Sequence, residues 1–189
     1  MGTPTYVCSR SSIETAYQQL GRAFGLLPHT LCYSVRANSN LFILRVLGGF
    51  GSGFDIVSGG ELDRLRRIGV PGRRIVFSGV GKTRDEIREA MRYPGRSAGD
   101  RGILLFNIES ATELEVILSE VAHHVQAGGG RVAGAIRVNP HVLAPTFGRG
   151  TPRRNSALNG KRRGASIVCI EILDGLCGAG SRLTSARRF

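Results

Sequence analysis

The chain has 189 residues, 41% of them apolar, and 26 Lys and Arg against 14 Asp and Glu give it a formal charge of +12. That length supports one hydrophobic core but falls short of the roughly 250 residues of a closed eight-fold βα barrel. No apolar run reaches the roughly 18 residues of a membrane-spanning helix, and the opening segment, with Arg10, Glu14 and Arg22, lacks the apolar stretch of a secretory signal, so a cytosolic chain is expected.

In chain order, Thr5 to Cys8 and then about Ser12 to Phe24 predict an opening strand and helix. Short β-rich runs follow at Leu31 to Val35, Phe54 to Val57, Arg74 to Phe77, Gly102 to Phe106 and Val132 to Val138, each leading into a stretch with helical periodicity. This alternation predicts parallel βα units. Ser58 with Glu61, Thr83 with Glu86, and Ser110 with Glu113 each set a hydroxyl three residues before a carboxylate. That is the spacing of a capping box, in which hydroxyl and carboxylate satisfy each other's backbone amides.

Apolar stripes follow the caps: Leu62, Leu65 and Ile68; Ile87, Ala90 and Met91; Leu114, Ile117, Leu118 and Val121. Each stripe should lie on the sheet while Arg64, Arg67, Arg88, Glu115 and Glu120 face water. Gly69 with Pro71, Pro94 with Gly95, and the glycines 128–130 mark the helix ends. The predicted fold is α/β: an incomplete (β/α)8 TIM-type barrel of about five βα units spanning residues 1–146, with two unpaired sheet edges. A basic tail, residues 147–189, follows without order.

The tail differs in texture. It holds nine Arg or Lys against Glu171 and Asp174, scattered among Gly, Ser, Asn and Pro. One apolar run, Ile167 to Leu176, predicts a short helix or strand with no repeated partner. A nucleic-acid arm is one reading of the charge, but no aromatics are interleaved for base stacking and no binding module is recognisable. A solvated or disordered segment is another. A shift of reading frame near codon 146 is a third source for such a composition.

Cys8, Cys32, Cys169 and Cys177 form no C-x-x-C pair, and His29, His123, His124 and His141 have no metal-ligand spacing, so reduced thiols and no metal site are expected. Gly79-Val80-Gly81-Lys82-Thr83 has the end of a phosphate-binding loop. The earlier glycine that such a loop needs is replaced by Val76, which rules it out.

The segment from Cys32 to Asn40, Cys-Tyr-Ser-Val-Arg-Ala-Asn-Ser-Asn, reads as the end of a buried strand carrying one long basic side chain, then a polar turn. With Gly53-Phe-Asp-Ile-Val-Ser-Gly-Gly-Glu61, Ile75 to Thr83, Leu105 to Ser110 and Arg137-Val-Asn-Pro140, it resembles the N-terminal part of the diaminopimelate decarboxylases, over about residues 2 to 142. Those enzymes belong to the pyridoxal-phosphate decarboxylases built on an alanine-racemase-like barrel.

The resemblance implies pyridoxal 5′-phosphate as cofactor, an amino-acid substrate, decarboxylation of meso-diaminopimelate to L-lysine, and a homodimer. It also implies that Arg36 stands where the family carries its Schiff-base lysine. A guanidinium stays protonated, with a pKa above about 12, and offers no nucleophilic nitrogen near neutral pH. Arg36 therefore has two open readings: a fixed positive charge at the barrel mouth, or a space-filling partner for an acid such as Asp55. Asp55, Arg137 and Asn139 match positions lining the family's cofactor site, and each has a structural alternative as a turn or loop residue.

Lys82 also follows a strand end, so a displaced Schiff base there is a lesser alternative. The family's phosphate grip and the β-domain that completes its site are not recognisable in this chain. Weak cofactor binding and no turnover by this chain alone are expected. The alternatives are a non-catalytic remnant pairing with a full-length homologue, or a basic nucleic-acid binder.

Overall fold

The computed structural model describes residues 2, 7–94 and 102–137 in full, and the backbone of 168–172 and 186–188. Helix α1 (Arg10–Ala23) opens on a Ser9 cap, followed by strand β1 (Cys32–Ser34), a short 3-10 turn (Val35–Ala37) and helix α2 (Leu41–Gly49). Then come β2 (Gly53–Ile56), α3 (Gly59–Arg67), β3 (Ile75–Phe77), α4 (Arg84–Met91), β4 (Leu105–Ile108), α5 (Ala111–Gln126) and β5 (Val132–Ile136). Of the predicted opening strand, Val7 and Cys8 have no regular structure, and residues 3–6 lie outside the described ones.

Strands β1 to β5 lie side by side in chain order and all pair parallel, as consecutive βα units of a barrel wall. Two further strands, β6 (Val168–Ile172) and β7 (Ala186–Arg188), continue the sheet antiparallel beyond β5. The strand expected as one reading of the run Ile167 to Leu176 forms over Val168–Ile172, and it pairs on both sides where no partner was expected. The outer edge of β1 has no paired strand among the described residues.

The alternation of side chains along a strand divides the sheet into two faces. Phe54, Ile56, Ile75, Phe77, Phe106 and Ile108 are buried beneath the helices, against Leu44, Leu62, Leu65, Ile87 and Ile117. The intervening residues, among them Asp55 and Asn107, face the other way and carry the polar chemistry described below. The helix stripes read from sequence therefore pack as predicted, apart from Leu118, which does not join the core cluster.

Cap chemistry is only partly the predicted one. Thr83 and Glu86 form a full capping box, whereas Ser58 and Ser110 accept from the Glu61 and Glu113 amides while those carboxylates reach one residue further back, to the Val57 and Glu109 amides. The second carboxylate oxygen of Glu86 accepts from the Gly59 amide at 2.6 Å, joining the starts of α3 and α4. Burial pushes the Glu86 carboxyl up, but the Thr83 and Gly59 amides and the Thr83 hydroxyl outweigh it and leave it below its ordinary value. Gly69 and Gly128, with φ of 73° and 75°, provide the left-handed residues that end α3 and α5.

One close approach fixes the loop before β3. A Cβ on buried Gly72 would run into the Gly102 carbonyl oxygen and sit 3.1 Å from the Tyr93 ring. Tyr93 is itself pinned by donating to the Val70 carbonyl at 2.9 Å, and burial pushes its hydroxyl up to about 12. Gly72→Ala is expected to destabilise the chain by about 1–3 kcal/mol, as overpacking of a tight contact does. A urea midpoint unchanged from wild type would contradict this.

Candidate functional site

The polar residues gather at the C-terminal ends of the parallel strands. Ser34 at the end of β1 is the register partner of Asp55 on β2, and Asp55 is the partner of Val76 on β3. Ser78 lies two residues beyond Val76 and so faces the same way as Asp55, despite being on the next strand. Asn107 on β4 follows Phe106, the partner of Phe77, which brings it beside Ser78.

The result is a directed chain of hydrogen bonds. Asn107 Nδ2 donates to Ser78 Oγ at 2.8 Å, and Ser78 Oγ donates to Asp55 Oδ1. The other oxygen of Asp55 accepts from Ser34 Oγ at 3.3 Å and from Arg36 Nη1 at 2.7 Å. Both carboxylate oxygens are therefore used. The Arg36 side chain is 52% exposed, so this pair is worth little to stability; its effect is to neutralise Asp55 and direct the guanidinium onto it.

A second acid closes the β5 side. Glu109, 4% exposed, accepts from the Gly79 amide at 3.2 Å and from Arg137 Nη1 at 3.1 Å. Arg137 is fixed in turn by its own amide, which donates to the Ile108 carbonyl. Arg36, Asp55 and Arg137 thus lie at strand ends of one sheet face, whereas Asn139 lies outside the described residues. Sequence reading missed Ser34, Ser78, Asn107 and Glu109 as members of this network. The signal was available in their spacing, since each falls at or just past the end of a strand on the face shared with Asp55.

Cys32 sits at the base of the same face. Cys32 is exposed, yet partial desolvation, reinforced by the Asp55 carboxylate, pushes its thiol up.

Lys82 is not part of the site. Its side chain is fully buried, and Nζ donates to Glu113 Oε1 at 2.5 Å, to the Gly79 carbonyl at 2.7 Å and to the Asn107 carbonyl at 2.8 Å. All three of its donors are occupied. The ammonium ties the loop after β3 to β4 and to the first turn of α5.

Glu120 corrects the sequence reading, which placed it in water. It is 2% exposed and accepts from Arg88 Nε at 2.6 Å, Arg88 Nη2 at 3.0 Å and Arg84 Nη1 at 3.0 Å, binding α4 to α5. The Arg88 hydrogen bonds hold its carboxyl below the ordinary value against the effect of burial, and Arg84 adds to them. A depressed folded pKa contributes stability that is present above the unfolded value, about 4.3, and is lost as pH falls through the folded one. Glu120→Gln is accordingly expected to lower the melting temperature at neutral pH and to flatten its decline below about pH 4.3. Parallel melting curves from pH 3 to 6 for the two proteins would contradict the assignment.

A family model for the pyridoxal-binding domain of the pyridoxal-dependent decarboxylases matches residues 10–147. The chain belongs to this family. The diaminopimelate decarboxylase of Pseudomonas aeruginosa is 40% identical over 201 aligned positions, covering 100% of this chain and 45% of that enzyme. That of Vibrio cholerae is 42% identical over 145 positions, covering 77% of this chain and 32% of the enzyme. The crystal structure of the Helicobacter pylori diaminopimelate decarboxylase complexed with L-lysine superposes with a TM-score of 0.66 at 37% identity, over 77% of this chain and 34% of that one.

The chain thus spans about 45% of the length of the Pseudomonas relative. In that comparison the alignment runs through the tail, whereas the family model ends at residue 147, close to the expected end of the resemblance near residue 142. Among the described residues no helix is long and apolar enough to cross a membrane, and no cluster of His, Cys, Asp or Glu could hold a metal.

The family's cofactor, pyridoxal phosphate, carries an aldehyde that needs an uncharged amine for covalent attachment. The described residues do not fit that attachment. Arg36 is a guanidinium bound to Asp55, and the Lys82 amine is sealed under three acceptors. Only one other lysine exists in the sequence, Lys161, and it lies outside the described residues.

Proposed function

We propose that this chain is the pyridoxal-binding part of a diaminopimelate decarboxylase-like protein in which the covalent cofactor attachment is lost, so that by itself it does not convert meso-diaminopimelate to L-lysine. Residues 1–146 form the partial barrel of this reading and 147–189 its basic extension. The observation that carries it is the Arg36–Asp55 pair at 2.7 Å, which puts a permanently protonated group where the family needs a nucleophilic amine. On this reading Asp55, Arg137 and Asn139 are the cofactor-binding positions that remain without the covalent anchor.

The test is incubation of the purified chain with pyridoxal phosphate, borohydride reduction and intact-mass analysis. An unchanged mass is expected. A pyridoxyl adduct mapped to Lys82 or Lys161 would sink the reading.

A second reading is pairing with a full-length homologue, and one feature favours it. Helix α1 has no buried residues, and Leu20, Phe24, Leu26 and Leu27 are exposed. An apolar cleft of about 540 Å³ runs between α1, β1 and α2, lined by Ile13, Tyr17, Leu31 and Ile43 among others. Exposed apolar surface beside a strand edge that is unpaired among the described residues is what a partner of the same fold would cover. Co-elution of this chain with the Pseudomonas aeruginosa enzyme on size exclusion supports pairing, and independent elution removes it.

A further inference from the structure

At the opposite end of the strands from Asp55, the loops entering β2 and β3 enclose a second cleft, of about 230 Å³. Its walls come from the end of α2 (Arg45, Gly48, Gly49) and from the segment between α3 and β3, which contributes Arg73 and Arg74. No acid lines it. Arg74 donates to the Gly48 carbonyl at 3.3 Å, which accounts for its position at the end of α2. Arg45 and Arg73 are exposed and have no ion pair among the described residues.

The neighbouring charge does not offset them. Asp63, on α3, is shared by Arg66 and Arg67 at 3.9 and 2.8 Å, and Arg66 also lies 5.5 Å from the centre of the Tyr93 ring. Space is left by glycine: a Cβ at Gly49 or Gly69 would meet nothing within 4 Å, and Gly69 is held in the left-handed region at φ 73°. Like charges around a concavity raise its potential and favour a counter-ion inside it. Guanidinium forks match the oxygens of a phosphate two at a time. The volume is below the roughly 300–1,000 Å³ of sites that take drug-sized ligands, so a compact anion fits better than a nucleotide or a peptide.

We propose that the Arg45–Arg73–Arg74 cleft is a binding site for a phosphate dianion, either free or at the end of a small phosphomonoester, separate from the Asp55 end of the barrel. Such a ligand stabilises the folded chain by mass action, because the unfolded chain does not assemble the cleft.

The experiment is calorimetric titration of the full chain, at fixed ionic strength, with inorganic phosphate in one arm and glycerol phosphate in the other. Saturable binding at one site per chain is expected, with Arg45→Gln/Arg73→Gln weakening it at least about tenfold through loss of two charge-assisted contacts. Arg36→Gln, at the other end of the strands, should leave it unchanged. Preference for glycerol phosphate identifies a monoester as the ligand, and equal or weaker binding of it identifies the free ion. If the double glutamine variant does not fold, Arg45→Lys/Arg73→Lys replaces it, with a weaker but measurable site expected. No saturable heat in either arm, equal weakening by Arg36→Gln, or tighter binding of oligonucleotides that grows with their length would each overturn the proposal.

Discussion

Lys82→Met lowers the unfolding free energy by about 3–5 kcal/mol, the loss typical of removing one partner from a buried ion pair. The Lys82 side chain has no exposure and that of Glu113 only 9%, so the carboxylate left behind has no water to replace the ammonium. The Gly79 and Asn107 carbonyls lose their donor in the same step. Glu113 keeps its bond from the Glu109 amide, which limits collapse of the α5 start. Lys82→Met/Glu113→Leu should recover only the part of the loss due to the stranded carboxylate, because the Gly79 and Asn107 carbonyls still lack their donor and the Glu109 amide loses its acceptor. Urea unfolding of the three proteins measures both effects. A loss below about 1 kcal/mol for the single variant would mean that the ammonium is not held as described.

On the function proposed above, Arg36→Lys is expected not to bring turnover of meso-diaminopimelate to this chain. The substitution restores an amine at the mouth, but one drawn to Asp55, which still accepts from Ser34 and Ser78. A positioned proton-transfer group accounts for about 10²- to 10⁴-fold of rate, and it acts only on a cofactor that is already held. On the reading proposed above, one restored side chain does not by itself hold the cofactor in place. Release of labelled carbon dioxide from carboxyl-labelled substrate is the measurement. Release above background by the Arg36→Lys chain alone would show that the barrel part suffices for chemistry and that the arginine is its single lesion.

The two variants separate structural from functional roles for the basic residues at strand ends. Lys82 and Arg36 both follow a strand, and in sequence each is one cation next to a polar turn. What distinguishes them is the acceptor set: Lys82 meets three acceptors below the surface, whereas the described partner of Arg36 is the Asp55 carboxylate at the rim.

The amino-acid sequence by itself determined the βα alternation, the helix stripes on Leu62, Ile87 and Ile117, and the hydroxyl caps at Ser58, Thr83 and Ser110. These depend on periodicities of 2 and 3.6 and on contacts within a few residues, so a linear reading contains them. The motifs around Arg36, Asp55 and Arg137 likewise carried the family. The tertiary structure alone decided which groups meet across strands. Ser78 reaches Asp55 only because the register between β2 and β3 sets them two residues apart on one face. Glu120, polar and on a helix, read as a surface residue until α4 brought two arginines over it. The antiparallel pairing of Val168–Ile172 was hidden for the same reason, since strand partners separated by tens of residues leave no local pattern.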